Sequence, residues 1–113
     1  MLSVDNLKAL GVNTEEGIAR CIGKPEFYLK MVKTALSDNG FEKLEAAVAA
    51  GNYDEAFAAA HNLKGVAANL ALTPLNEPLR ELTDLLRPRT EVDCSRLLAE
   101  CREQYGRLRA LCE

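Results

Sequence analysis

The chain has 113 residues, 48% of them hydrophobic and 27% charged, with a formal net charge of −3. That length and apolar share describe one folded domain, spanning 1–113, that can bury a core without metal or disulfide staples. The mild acidity, with Lys and Arg scattered apart from a cluster between Arg102 and Arg109, argues against a nucleic-acid surface. No apolar run reaches the ~20 residues of a membrane span. The opening stretch MLSVDNLKAL has no signal-peptide pattern. A soluble, cytoplasmic protein is the expectation.

Breakers divide the remainder into helical pieces. NTEEGIARCIG has Asn13 or Thr14 as cap, acids in its first turn and Gly23 as a stop. KPEFYLKMVKTALSDNG starts at Pro25 and ends at Gly40, with Phe27, Met31 and Ala35 at spacing four and Leu29, Val32 and Leu36 widening an apolar stripe. FEKLEAAVAAG is a short helix closed by Gly51, with Leu44, Ala47 and Val48 facing inward. Asn52 and Glu55 form a start signal for a helix running to about Leu72. TPLNEPLRELTDLLRPR has Thr73 as cap, then Leu75, Leu79, Leu82 and Leu86 at 4-3-4 spacing. Pro78 either moves its start to Asn76 or bends its first turn, and Pro88 ends it. The last helix begins near Val92 and carries Leu97, Leu98, Cys101, Tyr105, Leu108 and Leu111. No segment alternates convincingly enough to be a strand.

The expected fold is therefore all-α: an antiparallel four-helix bundle, its core from about residue 41 to 112, with additional short N-terminal helices packed at one end. The four cysteines, Cys21, Cys94, Cys101 and Cys112, lack metal-ligand spacing. They read as small buried apolar residues in a reducing setting.

The helix that starts at Asn52 holds the single histidine of the chain, His61. On a wheel of ~100° per residue with His61 at zero, Ala56, Ala60, Leu63, Ala67 and Leu70 fall between ~180° and ~260° and form the core stripe. Asp54, Phe57, Lys64, Gly65, Ala68 and Leu72 fall within ~60° of His61, and Asn69 at ~80°. The imidazole thus lies opposite the core. Gly65 costs a helix interior roughly 1 kcal/mol relative to Ala. Core packing does not ask for it on this face; access for another molecule does. Lys64, one turn from His61, can neutralise an anion carried on the ring. Phe57 either tucks against a neighbouring helix or offers a partner an apolar contact. Asn69 can bond near the site or stay solvated.

These residues, AHNLKGVAANLAL, closely resemble the phosphoacceptor helix of histidine-containing phosphotransfer (HPt) domains, with their His-x-Leu-Lys-Gly signature. The match takes in Ala60, His61, Leu63, Lys64, Gly65, Ala68, Asn69 and Leu70. The flanks VNTEEGIARCIGKPEFYLKMVKTAL and FEKLEAAVAAGNYDEAFAAAH are similar to the family's lead-in, so the resemblance covers nearly the whole chain. One departure is Ala71, where the family often has a helix-ending glycine; the helix is expected to continue towards Thr73.

The resemblance implies a carrier in a multistep His–Asp phosphorelay. His61, through Nε2, would take a phosphoryl group from a receiver-domain aspartate and pass it to another. Lys64 would stabilise charge, Gly65 would admit the partner, and Phe57, Ala68 and Asn69 would touch it. The implied partners are response-regulator receiver domains and possibly a hybrid sensor histidine kinase, with Mg²⁺ on the receiver and no cofactor or metal on this chain. A monomer without kinase activity of its own is expected, since the chain has no Gly-rich nucleotide loop. Two alternatives stand beside this one. In a plain helical interaction module His61 would be incidental. In an enzyme it would be a general base, needing a concave pocket and an orienting carboxylate.

Overall fold

The computed structural model describes residues 1–113. The fold is all-helical. Seven helices follow in order: α1 (Val4–Ala9), α2 (Thr14–Arg20), α3 (Pro25–Ser37), α4 (Gly40–Ala49), α5 (Tyr53–Asn69), α6 (Thr73–Leu86) and α7 (Ser95–Ala110). No helix is long and apolar enough to cross a membrane.

The starts follow the capping logic of the sequence. Asn13 and Asn52 each accept a backbone N–H three residues on, from Glu16 and Glu55, which satisfies donors that a helix N-terminus leaves free. α1 is a single short helix that apolar periodicity does not announce. Ser3 caps it by accepting from the Asn6 N–H, and Leu7 carries its buried contact. Pro74 sits in the first turn of α6, and Pro78 lies inside that helix, which starts at Thr73 rather than at Asn76. α7 begins at Ser95, three residues past the expected start, where Asp93 accepts from the Ser95 N–H and hydroxyl.

α4, α5, α6 and α7 form the antiparallel bundle: α5 packs on both α4 and α6, and α6 on α7. The fourth side closes where α3 and α4 meet α7. There the Phe41 and Tyr105 rings stack at 4.8 Å, and the Tyr105 hydroxyl donates to the Leu36 carbonyl at 2.9 Å. α1 and α2 sit at one end. A single cluster of 23 buried side chains, from Leu7 to Leu108, runs through the molecule.

The structure corrects the sequence reading of α3. The buried stripe is Tyr28, Val32 and Leu36, one residue on from Phe27, Met31 and Ala35, and Phe27 and Met31 remain 42% and 40% exposed. Tyr28 prevails because its hydroxyl finds a buried acceptor, the Leu70 carbonyl, at 2.8 Å. A second correction concerns the end of α5. The helix stops at Asn69 although no glycine follows. Ala71 itself takes the left-handed conformation, φ 54°, which a non-glycine residue adopts at a cost of about 1–2 kcal/mol. The turn carries Leu72 off the helix wheel and into the core, where it is 1% exposed. Tertiary contacts hold that turn: Asn13 N–H donates to the Ala71 carbonyl, and Arg20 donates to the Ala68 carbonyl at 3.1 Å.

Candidate functional site

α5 carries the site. Its inner face is made of the smallest side chains available: Ala56, Ala60 and Ala67 are each fully buried. Alanine lets the helix lie close to α4 and α6 and fixes its rotation, because larger residues would not fit there. His61 is consequently exposed, on the face turned to solvent. One helical turn earlier the half-buried Phe57 ring stacks with the imidazole, centroids 5.9 Å apart and planes at 22°.

Gly65 also lies on the exposed face. A side chain built there would meet no atom within 4 Å. Core packing therefore does not require this glycine, in contrast to Gly40 and Gly17. A side chain at Gly40 would press on Leu63 at 3.2 Å. One at Gly17 would come within 2.8 Å of the Leu70 carbonyl and collide with the Tyr28 ring. Lys64 is half-buried beside His61, Ala68 is half-buried one turn beyond Gly65, and Asn69 is exposed at the helix end. Asn69 borders an open hollow between α3 and α5 whose apolar lining includes Met31, Ala35, Val66 and Leu70.

Two residues of the site escaped the sequence reading. The connection after α6, Arg87-Pro88-Arg89, folds back over Phe57, with the Arg87 and Arg89 guanidinium carbons 5.5 and 4.7 Å from the ring centroid. The half-buried Phe57 ring thus has the imidazole and both guanidinium groups as neighbours. Nothing local in LLRPRT marks those arginines, since the contact depends on where the connection folds. Asp54, two turns before His61, lies 3.9 Å from Arg89. Arg87 pairs with Asp84 at 3.0 Å, so each of the two arginines has a carboxylate partner, and Lys64 is the cation next to the imidazole on α5.

No group of three or more His, Cys, Asp or Glu side chains could hold a metal ion. The three cysteines Cys21, Cys94 and Cys101 are buried. Burial pushes the Cys101 thiol up to about 12 and the Cys94 thiol up as well, so these are packing residues rather than nucleophiles.

An exposed imidazole on a helix fixed at both ends, with open space at Gly65 and Lys64 beside it, can carry an anionic group and present it to another protein surface. The Hpt domain model matches residues 30–111, most of the chain, and the protein belongs to that family. Hpt domains are phosphocarriers that take part in histidine phosphotransfer within phosphorelays. Searches of curated proteins and of solved structures returned no significant match.

Proposed function

We propose that residues 1–113 act as a single phosphocarrier domain in which His61 accepts a phosphoryl group from the aspartyl phosphate of a receiver domain and returns it to the aspartate of another. The Nε2 lone pair forms the N–P bond as the P–O bond to the aspartyl carboxylate breaks and its electron pair leaves on that carboxylate. The reverse step regenerates the imidazole. Phosphoryl transfer depends mainly on alignment and on charge stabilisation. Lys64 contributes a cation one turn from the ring, Gly65 leaves room for the receiver, and Phe57, Ala68 and Asn69 border the contact. Mg²⁺ belongs to the receiver. The carrier is a cytoplasmic monomer without kinase activity.

The observation that carries this reading is the open space at Gly65 beside an exposed imidazole, on the face opposite three fully buried alanines. An interaction module with an incidental histidine gives that glycine no role. A general-base enzyme needs a carboxylate on the ring, and the nearby carboxylate, Asp54, leans on Arg89 instead. The test is to incubate the protein with a receiver labelled on its aspartate. Label should pass to the wild type and back to a second, unlabelled receiver, and His61→Gln should take none. Absence of transfer from every receiver of the same cell would refute the proposal.

A further inference from the structure

Three donors that precede residue 30, where the Hpt match begins, converge on the end of the site helix. The Arg20 guanidinium donates to the Ala68 carbonyl at 3.1 Å, the Tyr28 hydroxyl to that of Leu70 at 2.8 Å, and the Asn13 N–H to that of Ala71 at 3.2 Å. Asn13, Glu16, Gly17 and Arg20 fall at helical spacing on one face of α2. The Glu16 carboxylate accepts from the Asn13 amide at 3.3 Å and from Arg20 at 2.7 Å. Gly17 has no side chain to hold α2 away from the Leu70 carbonyl. The turn that this face meets is one that alanine does not favour. The Leu72 N–H donates to Ala67 at 2.8 Å and the Ala71 N–H to Ala68 at 3.1 Å, the bond pair of a helix stop whose left-handed residue is usually glycine. Here Ala71 holds it at φ 54°, with a Cβ that disfavours this conformation. A helix that ran on would use the same carbonyls for its own next turn, Ala67 taking the Ala71 N–H and Ala68 the Leu72 N–H. The chain thus has two ways to leave α5, and the donors from residues 13–28 are bonded to the one that ends at Asn69.

We infer that Arg20 is a positioning residue for phosphotransfer. Its bond to Ala68, braced by Glu16, holds the left-handed turn at Ala71 and so fixes the last turn of α5, residues 66–69, against which a receiver docks. Ala68 and Asn69, which border the proposed contact, lie in that turn, just beyond Gly65. Arg20 acts through the helix and not on the phosphoryl group. A guanidinium suits the task because a charged donor bonds a carbonyl more strongly than a neutral one. The bond spans 48 positions of sequence, and it ties the site helix to a segment that the family match does not include. The role in transfer rests on His61 being the phosphoacceptor.

The test compares the wild type with Arg20→Ala and with Arg20→Ala combined with Ala71→Gly. Amide hydrogen exchange at Ala71 and Leu72 reports the turn, and transfer from a labelled receiver reports docking. Potassium phosphoramidate reports the imidazole alone: the ring nitrogen forms the N–P bond as the P–N bond of the donor breaks and ammonia leaves. Arg20→Ala should speed exchange of the two amides by about threefold to tenfold, the share of one hydrogen bond from a half-exposed cation. It should slow receiver transfer by about as much, while phosphoramidate labels His61 at the wild-type rate. Adding Ala71→Gly removes the strain that Arg20 offsets and should bring exchange and receiver transfer back to within about twofold of the wild type. Receiver transfer at the wild-type rate in Arg20→Ala overturns the inference, whether or not the amides loosen. So does slowed transfer that Ala71→Gly leaves in place, because that marks Arg20 as a contact of the receiver itself. An equal loss of phosphoramidate labelling also overturns it, by marking a general loosening of the domain. Amides that loosen and recover as expected, in a protein that phosphoramidate does not label, leave the turn to Arg20 and refute the phosphoacceptor reading and the role in transfer with it.

Discussion

Gly65 separates two demands that a helix residue usually meets together, stability and access. A side chain there meets no atom within 4 Å, and most side chains favour a helix over glycine by roughly 0.5–1 kcal/mol. Gly65→Gln should therefore leave the protein as stable as before or raise its melting temperature, while slowing phosphoryl transfer from a receiver by about tenfold or more through lost alignment. Thermal melts and transfer rates on the same preparation check both halves. A variant that transfers at the wild-type rate removes the access role. Ile22 makes a simpler case. It is β-branched, 71% exposed and held at φ 56°, a conformation such residues rarely adopt. Ile22→Gly should stabilise by about 1 kcal/mol in urea unfolding, by relief of backbone strain.

At the scale of elements, α5 is useful because both its ends are fixed. Asn52 caps the start, and α2 and α3 supply donors for the carbonyls at the finish: Arg20 to Ala68, Tyr28 to Leu70, and the Asn13 N–H to Ala71. Tyr28→Phe deprives a buried carbonyl of its partner and should cost about 1–2 kcal/mol. Gly17→Ala places a methyl against the Leu70 carbonyl and the Tyr28 ring, an overpacking that should cost about 1–3 kcal/mol. Denaturant midpoints measure both.

The same contacts mark what could be read from sequence. His61, Lys64 and Gly65 were legible because a helix wheel needs only local spacing, and the alanine and leucine stripe fixed its phase. The wheel misplaced Leu72 because the helix ends at Asn69, and that end is set by residues about 50 positions earlier in the chain. Tyr28 was passed over for Phe27 because a pattern of apolar letters does not show that a distant carbonyl will satisfy a hydroxyl. Arg87 and Arg89 were missed for a related reason: a connection's path over a neighbouring helix has no periodicity.

For the whole molecule, burial of weak acids links stability to pH. Burial pushes the Tyr28 hydroxyl from its ordinary value of 10.0 up to about 12, and the Cys101 thiol from 9.0 to about 12. A pKa raised on folding means that the fold favours the protonated group. The resulting stability is complete below the unfolded-state values and is lost as pH climbs through this range towards 12. Unfolding free energy should accordingly fall from about pH 9 upward, and Tyr28→Phe should fall less steeply than the wild type in urea titrations at matched pH. Equal slopes would show that Tyr28 does not contribute to the alkaline loss. The same burial predicts that Cys112, half-exposed, is the first thiol to react with a disulfide reagent in the native state, ahead of Cys21, Cys94 and Cys101.

The proposed function requires that one imidazole carry the phosphoryl group, and the chain has a single histidine. The most direct measurement is to mix the protein with an aspartyl-phosphorylated receiver and locate the transferred group by mass spectrometry and by its acid lability. The expected result is an acid-labile phosphoryl group on His61 that appears as the receiver loses its own and is absent from His61→Gln. A phosphoryl group found on another residue, or transfer that persists in His61→Gln, would contradict it.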